Sequence, residues 1–159
     1  MLEITLADYQ NPEHAQAVVA MLDDYARDPM GGGEALPDET KENLIAEMAK
    51  RDHVFSILAF VDGEPVGVAN CVEGFSTFAA KPVMNIHDIA VIAPFRGQGI
   101  AKRLLQEVET LAQFRGCCKL TLEVLQGNEP AKIAYQKFGF KPYQLDAEMG
   151  LAEFWQKYL

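Results

Sequence analysis

The hydrophobic positions of the chain switch between two periods. Ala15, Val18, Val19, Met21 and Leu22 recur at the three-and-four spacing of one helical face, predicting a first helix capped by Asn11 or Asp8 and running toward Tyr25. Leu44, Ile45, Met48 and Ala49 repeat that spacing in a second helix over 38–50. Between them, Asp28-Pro-Met-Gly-Gly-Gly-Glu-Ala-Leu-Pro37 reads as a loop. The pattern then becomes extended: 54–61 and 66–72 are two strands around Asp62-Gly-Glu-Pro65, a hairpin signal. Gly74 to Pro82 is predicted as a connection, with Phe75 and Phe78 as candidates to line a pocket. Ile86 to Ile92, rich in β-branched residues and closed by Pro94, predicts a buried strand.

Helical spacing returns with Ala101, Leu104, Leu105, Val108, Leu111 and Ala112, so a helix is expected from Gln98 to Phe114, stopped by Gly116. Lys119 to Leu125 follows as a strand. Asn128 caps the next helix, Pro130 fits its first turn, and Gly139 ends it. Ala131, Ala134, Tyr135 and Phe138 share one face of that helix. The tail from Tyr143 to Leu159 is expected to add one or two strands, although 151–159 fits a helix or strand period about equally.

The junction of the central strand and its helix, Arg96-Gly-Gln-Gly-Ile-Ala101, carries the chemistry. Two glycines free the backbone to present successive N–H groups at the positive end of a helix, which is an anion cradle. A dinucleotide fingerprint needs glycine where Lys102 stands, and a phosphate-binding P-loop needs an absent Gly-Lys-Ser/Thr. The order Arg96, Gly99, Ala101 resembles the acetyl-CoA pyrophosphate loop of the GNAT superfamily of N-acetyltransferases. Leu120-Thr-Leu-Glu-Val-Leu-Gln-Gly-Asn-Glu-Pro-Ala-Lys-Ile-Ala-Tyr-Gln-Lys-Phe-Gly-Phe140 is similar to that family's next strand, helix-opening asparagine and Tyr-x-Lys-x-Gly-Phe ending. The motifs fall within 85–140.

The resemblance implies an α/β (α+β) fold in which a mixed, mostly antiparallel sheet of six to seven strands is flanked by about four helices. It implies acetyl-CoA as cosubstrate and no metal. Ile89, Ala90 and Val91 would meet the pantetheine arm, and Arg96, Gly97, Gln98, Gly99, Ile100 and Ala101 would hold the pyrophosphate. Asn128 would contact coenzyme A, and Tyr135 would protonate its sulfur. Glu123 is the first candidate base, a pairing with Tyr135 similar to that of ribosomal-protein N-terminal acetyltransferases. His87 and Asp88 are its rivals, expected on opposite strand faces because side chains alternate. Phe75 through Val91 also resembles the spermidine/spermine acetyltransferase branch. That branch has an acidic pair that helps recognise a polyamine; Asp88 fits the pair, but His87 replaces its first acid, which weakens polyamine specificity. A small amine is therefore the expected acceptor, with a protein N-terminus or lysine, or acetyl-CoA sensing without turnover, as the alternatives. The glycine loop at 28–37 is expected to border the acceptor.

Composition narrows the classes. The 159 residues, 49% hydrophobic, suit one domain spanning 1–159. No apolar run is long enough for a bilayer and Met-Leu-Glu-Ile-Thr is unlike a signal peptide, so a cytoplasmic protein without membrane partner is expected. Three cysteines imply no disulfide framework, and metal-ligand spacing is missing. A net charge of −9 argues against nucleic acid and is compatible with a cationic substrate, simple solubility being the plainer cause of the charge, with Arg96, Lys102 and Arg103 compensating an anionic ligand locally. A homodimer is a further expectation, since dimerisation is common in the family resembled.

Overall fold

Alternating apolar residues in the computed structural model, which covers residues 1–159, build a sheet whose order follows the chain. The strands are β1 (Leu2–Leu6), β2 (Val54–Val61), β3 (Glu64–Ser76), β4 (Lys81–Val91) and β5 (Leu120–Leu122). All neighbours run antiparallel except β4 and β5, which are parallel. The helices are α1 (Pro12–Arg27), α2 (Asp38–Ala49), α3 (Ile100–Phe114) and α4 (Glu129–Phe138). The chain divides into two compact units, 1–122 and 123–159.

In the first unit, α1 and α2 cover one sheet face. Ala17, Val18, Met21 and Met48 meet Leu58, Phe60 and Val68 there in one buried cluster. α3 lies on the other face, and Ile100, Leu104, Leu105, Val108 and Ala112 are its buried stripe. A Cβ at Gly67 would come within 3.0 Å of the Ala90 carbonyl oxygen and 3.2 Å of Leu104, so glycine is what lets α3 seat this closely. Asn11 caps α1, its Oδ1 accepting from the Glu13 N–H at 2.9 Å.

The second unit holds α4, capped by Asn128 and ended by Gly139 in the left-handed region at φ 112°. Phe140 packs against Tyr135 edge-on and stacks with Phe138.

β3 and β4 extend through the predicted connection, pairing Gly74, Phe75 and Ser76 with Val83, Pro82 and Lys81. Pro82 is tolerated near the hairpin end because only its donor is missing; its carbonyl accepts from Cys118 N–H at 2.9 Å. Phe78 is fully exposed in the turn. β5 stops at Leu122 rather than Leu125. The tail forms only an isolated bridge, Gln144 to Leu151, so the sheet has five strands, not six to seven. Leu145, Met149, Phe154, Trp155 and Tyr158 are exposed there, and without a buried face nothing selects a strand register. No helix is long and apolar enough to cross a membrane.

Candidate functional site

The middle of β4 has an open backbone edge. Its pairing with β5 covers only Met84, Asn85 and Ile86. The next residue, His87, is skipped in the register with β3, where Asn70 faces Asp88 and Cys71 faces Ile86. This bulge interrupts the strict alternation that assigns His87 and Asp88 to opposite faces. Beyond it, the Ile92 N–H donates to the Val66 carbonyl at 3.0 Å. Backbone direction alternates along a strand, so Ala90 also points at β3, whereas Ile89 and Val91 point away from it.

The glycine turn follows directly. Gly97 and Gly99 have φ of 77° and 81°, and a Cβ on either would meet nothing within 4 Å. No side chain caps α3, so the N–H groups of its first turn lack a capping acceptor. Residues Arg96 to Gly99 are exposed while Ile100 is buried and anchors the helix start. Arg96 itself is engaged: its Nε donates to the Val91 carbonyl at 2.8 Å and its Nη2 to Asp28 Oδ2 at 3.0 Å. The turn therefore offers an anion backbone N–H groups, with Lys102 and Arg103 exposed just beyond.

On the α1 face, a row of polar side chains crosses three strands. Tyr9 Oη lies 2.9 Å from Ser56 Oγ, Ser56 donates to Asn70 Oδ1 at 2.6 Å, and Asn70 Nδ2 donates to Asp88 Oδ2 at 3.1 Å. Ser56 and Asn70 are buried. Burial pushes the Tyr25 phenol up, and the charges of Asp88 and Asp28 push it further, so this end of α1 lies near two carboxylates, one of them paired with Arg96. Asp28 caps the short turn Pro29–Gly31, and its carboxyl is held below the usual range by the Met30 N–H first and by Arg96 next. The predicted glycine loop is thereby tied to the anion turn.

In the second unit, Asn128 Oδ1 accepts from the Ala131 N–H at 3.3 Å, leaving its NH2 for a ligand. Tyr135 is half-buried on α4. Glu123 is exposed and lies one residue past β5 rather than within it, because the ladder stops where β4 bulges. Tyr9, Tyr25, Ser56 and Asn70 escaped the sequence reading. The signal for two of them was a polar residue interrupting an apolar run, in Val-Phe-Ser-Ile-Leu and Val-Ala-Asn-Cys-Val.

A model of the acetyltransferase (GNAT) family matches residues 8–140. Aminoglycoside N(6')-acetyltransferase type 1 of Salmonella typhimurium is 28% identical over 111 residues, covering 66% of this chain and 74% of its own. Thialysine N-epsilon-acetyltransferase of Caenorhabditis elegans is 25% identical over 124 residues, covering 78% of this chain and 75% of its own. Among solved structures, an aminoglycoside N-acetyltransferase in complex with CoA superposes with a TM-score of 0.77 at 21% identity, covering 100% of this chain and 96% of that one.

Proposed function

Because this chain belongs to the acetyltransferase (GNAT) family and is an N-acetyltransferase, we propose that it moves the acetyl group of acetyl-CoA to a primary amine of a small-molecule acceptor by direct attack in a ternary complex. One observation carries the reading: the outward backbone of Ile89 and Val91 leads through a short turn into the open glycines and uncapped start of α3. Strand-edge N–H and C=O groups suit an amide-bearing arm, and N–H groups at a positive helix end suit a diphosphate. The open space at Gly97 and Gly99 supports the fit, since no side chain there keeps an anion off the backbone. When bound, acetyl-CoA supplies an acetyl group already activated as a thioester.

The chain's own groups divide the remaining work. Residues Arg96 to Ala101 hold the diphosphate and fix the reacting carbonyl relative to β4. Tyr135 holds the proton that the departing sulfur takes up. Glu123 takes the proton that the attacking nitrogen loses, with His87 as its rival. The names of the aminoglycoside and thialysine relatives support a small amine as acceptor.

The test is coenzyme A release from acetyl-CoA against amino sugars, diamines, polyamines and N-terminal peptides. Turnover on small amines is expected, with Tyr135→Phe lowering kcat about 100-fold or more. Turnover on peptides alone would overturn the small-acceptor reading, and no release above buffer on any amine would overturn the activity.

A further inference from the structure

We propose that Asp28 is a positioning residue for the cosubstrate turn, acting through Arg96, whose guanidinium is a strut behind that turn rather than a direct contact of the diphosphate. This rests on the cosubstrate reading above and divides the work at Arg96: the backbone N–H groups that follow it meet the anion, and its side chain fixes where they stand.

The donors of Arg96 are engaged within the protein. Its backbone N–H donates to the Ala93 carbonyl at 3.3 Å, its Nε to the Val91 carbonyl at 2.8 Å and its Nη2 to Asp28 Oδ2 at 3.0 Å. One planar guanidinium thus spans the end of β4 and the loop after α1, an arrangement that uses the fixed fork of arginine and that the single Nζ of a lysine does not reproduce. Asp28 offsets the charge locally, which weakens its pull on an anion. The residues after Arg96 are different. Gly97 and Gly99 are exposed, take left-handed φ, and have nothing within 4 Å of where a Cβ would stand. Glycine loses more conformational freedom on ordering than any other residue, so a turn built on two of them holds an anion well only where its flanks are already fixed. Buried Ile100 fixes the far flank, and the strut fixes the near one.

A strut needs a firm footing, and Asp28 has one. Its Oδ1 accepts from the Met30 N–H at 2.9 Å, and its carbonyl accepts from the Gly31 and Gly33 N–H groups at 2.8 and 3.0 Å. The Glu34 N–H donates to the Ala26 carbonyl at 3.1 Å, and the Leu36 N–H to Asp23 Oδ1 at 2.8 Å. A Cβ at Gly31 would lie 2.0 Å from the Tyr25 carbonyl oxygen, so the loop packs directly on the end of α1. The two carboxylate oxygens of Asp28 therefore divide: one holds its own loop and the other holds Arg96. The Asp28 side chain is 22% exposed, which spares it part of the screening that makes surface ion pairs weak. Its carboxyl, held low by the Met30 N–H first and Arg96 next, stays charged at neutral pH.

Asp28→Asn separates the strut from its rival, direct contact of the Arg96 guanidinium with the diphosphate, by the sign of its effect on coenzyme A affinity. Asparagine keeps an oxygen for the Met30 N–H but turns an NH2 toward Arg96. It also removes a negative charge near an anionic ligand, which by field alone tightens binding. Calorimetric titration with coenzyme A is expected to show Asp28→Asn binding about tenfold more weakly, against that field. Arg96→Met should lose about as much, and Asp28→Asn should add nothing in the Arg96→Met background. Arg96→Lys, which keeps the charge and loses the fork, should recover no more than about twofold of that loss. On the amine that wild type acetylates fastest, the acetyl-CoA KM should rise by the same factor with kcat within about twofold, a split that general loosening of the fold would not give. Unchanged or tighter coenzyme A binding in Asp28→Asn, additive losses in the double variant, an Arg96→Lys that binds like wild type, or a kcat that falls while the acetyl-CoA KM holds would overturn the proposal. If Asp28→Asn does not fold, Arg96→Lys against Arg96→Met decides alone. Wild-type protein that binds no coenzyme A would remove the cosubstrate reading as well, whereas wild-type binding with an unaffected Asp28→Asn removes the strut alone.

Discussion

Cys71 lies next to Asn70 on β3, and burial followed by the charge of Asp88 pushes its thiol up to about 12. Cys117 is pushed up more modestly, by burial first and Glu73 next. Cys118 is exposed. The thiolate is the reactive form, so a thiol reagent at about pH 8 should modify Cys118 first and reach Cys71 only on unfolding. Peptide mapping that finds Cys71 labelled as fast as Cys118 in folded protein would contradict this. The same scale explains why some site residues were legible and others were not. Gly97 and Gly99 announce themselves because few other residues take positive φ. The engagement of Arg96 with Asp28 spans 68 residues of sequence, and no local pattern encodes it. Ser56, Asn70 and Asp88 form a row only once two strand registers are fixed, and a bulge at His87 sets one of them.

At the scale of elements, amphipathic helices were legible because a buried stripe must repeat with the helix, as Leu104, Leu105 and Val108 do in α3. β1 was missed because five residues, three half-buried and two exposed, carry little periodic signal. The long β3–β4 hairpin was shortened in the reading because Gly74 and Pro82 look like breakers, yet both fit near a hairpin end. That hairpin is also fastened to the end of α3. Arg115 donates from Nε and Nη2 to the two Glu73 oxygens at 2.8 and 3.1 Å, and its guanidinium lies 4.5 Å from the centre of the Phe55 ring. Arg115's hydrogen bonds hold the Glu73 carboxyl below its ordinary range. A lowered carboxyl contributes stability above its unfolded value, about 4.3, and loses it as pH falls through the folded value. Glu73→Gln should therefore cost about 1 kcal/mol at neutral pH, solvent screening keeping the figure small, with the gap to wild type closing in acid. Denaturant titrations across pH check this, and a gap that widens below about pH 4 would contradict the pairing.

For the whole molecule, the proposed reaction asks a chain of net charge −9 to receive an anionic cosubstrate. The glycine turn reconciles the two, since helix-start N–H groups attract an anion without altering net charge. The family and the α/β layout were legible because motifs at 85–140 come in fixed order; the strand count was not, because the tail has no buried face to set its period. The proposed reaction is direct transfer of acetyl to an amine. The most direct measurement mixes the protein with acetyl-CoA alone, follows intact-protein mass and free thiol, and then adds a small amine. We expect no acetylated protein and no thiol until the amine arrives, then coenzyme A and acetylated amine in equal amounts. A burst of thiol with acetyl carried on the protein before the amine is added, or no acetylated amine afterwards, would contradict it.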